Sequence, residues 1–363
     1  MIDVVLDCII FDLQASGGVS RYWVNLIFGL AQLPEPPRLH LLIAEDANSE
    51  SARQVIELAR RNSALELYPY ESRLLERIRQ PEIPKDLAAR AVFHSSYHRS
   101  AARMPNVLTV HDFTYEERAG GWRAFAQHWQ KSQAIGRSST VVCVSESTRQ
   151  DFRRRFPAYR QSPVEVIHHG VEPHFAPDPN PASGLRDQPE YVLFVGRRDP
   201  YKNFWLVVEA VKQLGTLMLT IVGPPLSIDE QTRLDLEIRG RYSIRSHVDD
   251  VQLVNLYRNA FALAFPSRYE GFGFPVIEAM ACGCPVVALN ISSIPEVAGD
   301  AAILLDADAP ELLVAALEDI RSVGAREALV RRGMAQAARF SWADAAAKYF
   351  ALYAKLSSSG ASA

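Results

Sequence analysis

Two glutamates, Glu270 and Glu278, bracket seven residues in the stretch "EGFGFPVIEAMACGCP". A carboxylate is an acceptor with two oxygens, so one such group can take both hydroxyl protons of a vicinal diol such as a ribose. Pro275 suits a first helical turn, where its missing N–H costs nothing, and Gly283 suits a helix C-terminal stop. Glu278 then falls about one turn into a helix. Gly271 and Gly273, on either side of Phe272, allow a backbone to approach a ligand closely, and a helix N-terminus beside them favours an anion. Glu270 stands where the preceding strand-like run ends.

A second group lies in "GRRDPYKN": Arg197, Arg198 and Lys202. Lysine draws notice here because the basic residues of the chain are nearly all arginine. Positive charge held just past a strand end lowers the barrier of any reaction whose leaving group is a diphosphate, since negative charge builds on its oxygens as it departs. His111 and Asp112 end the run "NVLTV", where the imidazole can hydrogen-bond a ligand and the carboxylate can orient it. Gly17 and Gly18 lie between the first strand and its helix, where backbone N–H groups can meet a phosphate or a hydroxyl. Each feature also has an ordinary reading. Glu270 can begin a turn, and Glu278 can pair with an arginine. A basic loop is commonly solvated, Gly-Gly is commonly a tight turn, and a histidine can pack at an interface. Their common place at strand ends favours chemistry.

The elements that must position these residues alternate strand and helix. "DVVLDCII", "LHLLIAE", "AVFHSS", "NVLTVHD" and "TVVCVS" are short apolar runs with helical stretches among them. Continuous apolar strands of this kind belong to parallel sheets covered on both faces. The proline-rich "HHGVEPHFAPDPNPASGLRDQPE" has no periodicity and reads as a linker. A second series follows: "YVLFVG", "LMLTIVG", "YSIRSHV", "FALAFPS", "PVVALN" and "AAILLD". The pattern predicts an α/β protein of two Rossmann-like, doubly wound domains facing a cleft, with ligands at the carboxyl ends of the strands. The divisions expected are residues 1–168, 169–340, a closing helix 341–356 that packs back on the first domain, and a disordered tail 357–363.

Composition narrows the classes. The chain has 363 residues, a formal net charge of −3, 48% hydrophobic and 22% charged residues. That is ordinary for a globular protein and argues against a dedicated nucleic-acid binder. The start "MIDVVLDCII" lacks a basic n-region, so no secretory signal is expected. Cys8 and Cys143 sit in strand-like runs, and Cys282 and Cys284 are too close for the usual zinc or redox spacing. A reduced, cytoplasmic setting is the expectation. The triplet "DAD" (Asp306–Asp308) precedes a helical pattern and is expected to cap it. His168 and His169 have no partners at metal-ligand spacing, so no metal is expected. "RQDFRRRFPAYRQ" and "RAGGWRAFAQHWQKSQAIGR" mix basic and aromatic residues, as a solvated helix face or a contact with anionic lipid would.

Taken together these motifs resemble the family-four retaining glycosyltransferases of the GT-B fold. The resemblance rests on the two glutamates with seven residues between them after a "PS" strand end and on "NISSIPEVAGDAAILLD" behind them. "SGGVSRY", "TVHDFTYE", "VIHHGVE" and "FVGRRDPYKN" match in the right order. It covers nearly the whole chain and is weakest between Asn48 and Arg90.

What the resemblance implies is a metal-independent hexosyltransferase. A nucleotide-sugar donor would be held mainly by the second domain and a glycan or lipid-linked glycan acceptor by the first. Glu278 would hold the ribose, Glu270 the sugar ring and His111 the donor sugar. Lys202 and one arginine, Arg197 or Arg198, would hold the diphosphate. Gly17, Gly18, Gly271, Phe272 and Gly273 would line the donor, and the backbone near Val248 would meet the base. Details such as "VFHSSYHRS" resemble members that build bacterial O-antigen or other surface polysaccharide, often from GDP-mannose, at the inner face of the cell membrane. A nucleotide-sugar epimerase of similar architecture and an inactive glycosyltransferase-like binding subunit are the alternatives. Product identity separates the first from a transferase, and donor turnover separates the second.

Overall fold

A computed structural model describes residues 2–14, 17–72, 76–114, 122–179 and 190–360. The chain divides into two compact units, Met1–Gly170 with Ser341–Ala363, and Val171–Phe340.

The first unit holds seven strands: β1 Asp3–Asp7, β2 Arg38–Ala44, β3 Leu65–Tyr70, β4 Ala91–Ser95, β5 Asn106–Val110, β6 Thr140–Cys143 and β7 Val164–Val166. They form one sheet in the order β3-β2-β1-β4-β5-β6-β7, and every pairing is parallel. The second unit holds six: β8 Tyr191–Val195, β9 Met218–Val222, β10 Tyr242–Arg245, β11 Ala262–Phe265, β12 Val286–Leu289 and β13 Ile303–Leu305. Its order is β10-β9-β8-β11-β12-β13, again all parallel. Both sheets reverse direction beside their first strand, the doubly wound pattern in which ligands sit at the switch point. That point lies between β1 and β4 in the first unit and between β8 and β11 in the second.

Central strands are buried throughout, β1, β4, β5, β11 and β12 without one exposed residue. Helices on both faces leave a strand no polar side, so these segments read as unbroken apolar runs. The edges differ. β3, "LELYPY", alternates and contains Pro69. It is an edge strand, where a missing backbone donor breaks no ladder. β7 is a three-residue edge. Both lie outside the strands the sequence pattern predicts.

Other departures have local causes. The closing helix runs Trp342–Gly360, through Ser357–Ser359, where the composition predicts no order. The Ser358 hydroxyl donates to the Lys355 carbonyl (2.8 Å) and helps keep the turn closed. Residues 361–363 lie outside the described residues. That helix packs on helix Gly18–Ala31 within the first unit, where a Cβ at Gly29 would stand 2.9 Å from Ala346 Cβ. At the linker's start, Phe175 is buried against the ring of Tyr257 (6.1 Å). Arg258 Nε holds the Ala176 carbonyl at 2.8 Å. The "DAD" aspartates do not cap. Helix Pro310–Ile320 has no side-chain cap, because its N-cap is Ala309, one residue past the triplet; Asp306 accepts from Asn290 (2.8 Å) and Asp308 from Arg268 (2.7 Å).

Candidate functional site

The switch point of the second sheet gathers the predicted charged residues. β8 and β11 are neighbours in parallel register, Val192 against Ala262 and Leu193 against Leu263. Their carboxyl ends therefore open side by side, and the loops "GRRDPYKN" and "SRYEGFGF" leave from them. This brings Lys202 Nζ to 2.5 Å from Glu270 Oε1, across 68 positions of sequence. Both side chains are about one-seventh exposed, at 15% and 14%. The ammonium also lies over the rings of Tyr201 (5.1 Å) and Phe265 (5.4 Å), so an aromatic floor and one carboxylate fix it. Its Coulombic partner is already present, and a diphosphate arriving here would share the ammonium with Glu270.

The glutamate loop is fastened from the segment "NISSIPE". Ser292 Oγ accepts from the Glu270 N–H (3.0 Å). The Ser293 hydroxyl stands 3.0 Å from the Glu270 carbonyl and 2.9 Å from that of Phe272. Gly273 has φ 106, a conformation that glycine adopts without a Cβ penalty. A Cβ there would also stand 2.8 Å from Ile294 Cδ1. Helix Phe274–Ala281 follows at once, with proline in its first turn. Phe272 is buried between Phe274 and Phe340, each ring 5.7 Å away. Its side chain is core, so the predicted donor contact of Phe272 has no side chain to offer.

Glu278, one turn into that helix, is 2% exposed. The hydroxyl of Tyr257, itself buried, donates to Glu278 Oε2 at 2.8 Å. Sequence reasoning did not find Tyr257, because a tyrosine in an amphipathic helix carries no signal of its partner.

The two arginines separate in the structure. Arg198 is packed, its side chain 5% exposed. It donates to Glu230 (2.8 and 3.1 Å) and to the carbonyls of Pro224 and Pro225 (both 2.9 Å). The Arg198 guanidinium holds the Glu230 carboxyl down to about 2. Arg197 is 76% exposed, with Asp199 at 3.3 Å. Val248 lies half-buried between β10 and helix Asp250–Asn259, next to His247 with φ 56.

In the first unit, Gly18 opens helix Gly18–Ala31 and Gly17 is its N-cap; both are exposed. Ala15 and Ser16, within the glycine loop, lie outside the described residues, as do Tyr115 and Glu116. His111 follows β5. Burial pushes its imidazole down to about 4, with Asp112 opposing and Lys131 adding to the shift. Its Nε2 is buried without a hydrogen-bond partner among the described residues. The Tyr22 ring meets it edge-on at 4.7 Å, and His169 stacks on it at 5.6 Å. Behind them runs a buried chain of hydroxyls and imidazole. The Tyr22 hydroxyl bonds Tyr349 (2.7 Å), Thr109 bonds Tyr349 (3.0 Å) and His94 (2.8 Å), and His94 bonds Tyr353 (2.6 Å). Tyr349 and Tyr353 belong to the closing helix, which therefore supports the histidine's surroundings. Among the described residues no helix is long and apolar enough to cross a membrane.

Comparison with known proteins bears on the family and the fold. Residues 16–175 match the family described as Glycosyltransferase Family 4, and residues 178–336 match Glycosyl transferases group 1. The chain is 36% identical over 165 residues to the O-antigen chain mannosyltransferase B of Escherichia coli, covering 42% of each protein. It is 33% identical over 239 residues to the D-inositol 3-phosphate glycosyltransferase of Mycolicibacterium smegmatis, covering 62% of this chain and 55% of that one. The chain spans about half the length of the curated relatives it matches. Among solved structures, sucrose-phosphate synthase from Thermosynechococcus elongatus superposes with a TM-score of 0.74 at 18% identity, over 99% of this chain and 100% of the other. Anabaena HepE in complex with UDP-glucose gives 0.74 at 17% identity, over 98% and 100%. At such identities the likeness concerns the fold, which is GT-B. Two family matches that together run from residue 16 to residue 336, on two doubly wound units, make this chain a member of glycosyltransferase family 4.

Proposed function

We propose that the protein is a retaining, metal-independent hexosyltransferase that takes a GDP-mannose-type donor and extends a glycan or lipid-linked glycan of a bacterial surface polysaccharide. The observation that carries the reading is the Lys202–Glu270 pair at the switch point of the second sheet, beside a glycine loop and a helix N-terminus. The mannose and O-antigen terms follow the name of the Escherichia coli relative. In this reading Lys202 and Arg197 take the diphosphate, and Arg198 holds the wall of the site through Glu230. Glu278, oriented by Tyr257, takes the ribose diol. Glu270 steadies the sugar as its ring flattens. His111, neutral near pH 7, offers a hydrogen bond to a sugar hydroxyl. Cationic side chains and a helix terminus stand in for a divalent cation.

The chemistry is a substitution at the anomeric carbon. The bond from that carbon to the diphosphate oxygen breaks, a bond to the acceptor oxygen forms on the same face, and the acceptor proton passes to the departing phosphate. Glu270 is held by Lys202, so the leaving phosphate rather than a protein carboxylate is the better base. Peripheral membrane contact at the inner face of the cell membrane is part of the proposal. Phe125 and Trp129, four positions apart on helix Trp122–Arg137, are 72% and 56% exposed, a pair suited to the lipid interface.

A thermal-shift panel of GDP-, UDP-, dTDP- and CMP-sugars tests the donor. A ligand at one hundred times its dissociation constant stabilises by about 2.7 kcal/mol. Stabilisation by GDP-mannose above the others supports the reading. No shift with any of the four, or a shift confined to another base, removes it.

A further inference from the structure

The first unit contains a cavity of about 290 Å³ at the carboxyl ends of β2 and β3, lined on another side by residues between Glu76 and Pro84. At ~30 Å³ per water it has room for roughly ten waters, or for one sugar ring that displaces them. Arg99 lines it and comes from the loop after β4, at the switch point between β1 and β4. Its guanidinium is 2% exposed. Two carboxylates balance its charge, Asp7 and Glu76, each at 3.4 Å. Its hydrogen bonds are another matter, for Nε and Nη1 are buried without a hydrogen-bond partner among the described residues. The charge is compensated and the donors are not.

That contrast selects the ligand. Among the described residues the lining carries, besides Arg99 and Glu76, Arg79, Glu71 and Glu82, three carboxylates against two guanidiniums. An anion entering here would meet an excess of like charge. A neutral polyol adds no charge, offers hydroxyl oxygens to the buried guanidinium and hydroxyl protons to the carboxylates. Tyr70 supplies a flat wall, with the Arg99 guanidinium 5.6 Å from its ring centre and its hydroxyl anchored on Asp12 (2.8 Å). Position gives the rest. β3, the far wall of the cavity, lies four strand steps from β5, which carries His111 at its end, and four steps of ~4.8 Å make about 19 Å. A saccharide that reaches from the cavity to His111 has several rings.

We infer that this cavity is a distal subsite for an uncharged sugar ring of an oligosaccharide acceptor, held by Arg99, Arg79, Glu76 and Tyr70 several rings from the growing end. The inference rests on the transferase reading above for its role, though not for its ligand.

Two measurements test it on the full-length chain and on the double variant Arg79→Ala/Gln80→Ala, whose side chains are exposed lining residues. The first is calorimetric titration without donor, using neutral manno-, gluco- and galacto-oligosaccharides of one to four rings and acidic oligogalacturonides. Binding of a neutral tetrasaccharide, weakened at least tenfold in the variant, is expected. No binding by any neutral probe, binding by the acidic series alone, or equal binding by both proteins overturns the inference, whatever the enzyme's activity. The second is transfer from the donor that the thermal-shift panel selects. The acceptor KM should fall at least tenfold from one ring to four in the wild type and stay flat in the variant, with kcat on a single ring unchanged. Equal length dependence in both proteins overturns it. Absence of donor stabilisation and of transfer to every acceptor is the separate failure of the transferase reading, and the titration then decides the cavity alone.

Discussion

Removal of the Lys202 ammonium should have two effects that one further substitution separates. In Lys202→Ala the Glu270 carboxylate, 14% exposed and 2.5 Å from the lost cation, is left with its desolvation cost and without that partner. Breaking a fully buried pair costs about 3–5 kcal/mol, and the residual exposure of both groups places this one at the lower end, near 3 kcal/mol. Activity should fall by roughly 10²–10³ in kcat, as for the loss of one donor that faces developing charge. Lys202→Ala/Glu270→Gln removes the orphaned charge, so its urea midpoint should return most of the way to wild type. Its kcat should stay low, because the diphosphate has still lost its cation. Glu278→Gln should behave differently, since the ribose does not change during transfer. Its donor KM should rise more than its kcat falls. The assays are urea unfolding followed by circular dichroism and steady-state kinetics with the donor chosen by thermal shift. If the double variant regains both stability and turnover, the pair is a structural strut and the assignment of Lys202 to the leaving group is refuted.

Four further outcomes are expected. Arg197→Ala should lose turnover with an unchanged melting temperature, whereas Arg198→Ala should lose stability by frustrating Glu230; the opposite pattern in thermal melts and kinetics exchanges their roles. The imidazoles of buried His94 and half-buried His111 are pushed down to about 3 and about 4, below the ~6.5 of an unfolded histidine. The unfolded state therefore binds their protons first, and stability is full above pH 6.5 and lost as the pH falls towards 4, by roughly 3 kcal/mol for His111 alone at 1.36 kcal/mol per unit. Asp7 and Asp12, raised by burial, act in the opposite direction at the lower end, so the clearest window is pH 6.5 to 5, and equal urea midpoints at pH 7 and pH 5 contradict the argument. Turnover at saturating donor should survive EDTA, and a complete loss that magnesium reverses defeats the metal-independent scheme. Phe125→Ser/Trp129→Ser with Arg153→Ser should weaken sedimentation with anionic liposomes while activity on a soluble acceptor persists, and equal sedimentation assigns that face to water; Arg155 is left intact because it packs over the Phe113 ring (5.7 Å).

The alternation of strands and helices is legible in the amino-acid sequence, since a strand covered on both faces must be apolar throughout and shows as a run. β8 to β13 are all legible in that way, and so are β1, β2, β4, β5 and β6. The sequence also marked the chemistry-bearing residue types, because glycines, charged groups and a proline at strand ends serve no core. Edge strands escaped it: β3 alternates and carries Pro69, and β7 is too short to form a pattern. Which side chain partners which depends on the packing of distant segments. The adjacency of β8 and β11 joins Lys202 to Glu270, a contact that no local periodicity encodes. The loop after β9 and the helix behind it take Arg198 out of solvent and leave Arg197 in it, although the two neighbours are identical in type. Tyr257 reaches Glu278, and the closing helix completes the hydroxyl chain behind His111, only when separate helices are packed. Secondary structure follows from short-range spacing, whereas the charge state and freedom of a side chain depend on groups that the chain brings near from far along its length.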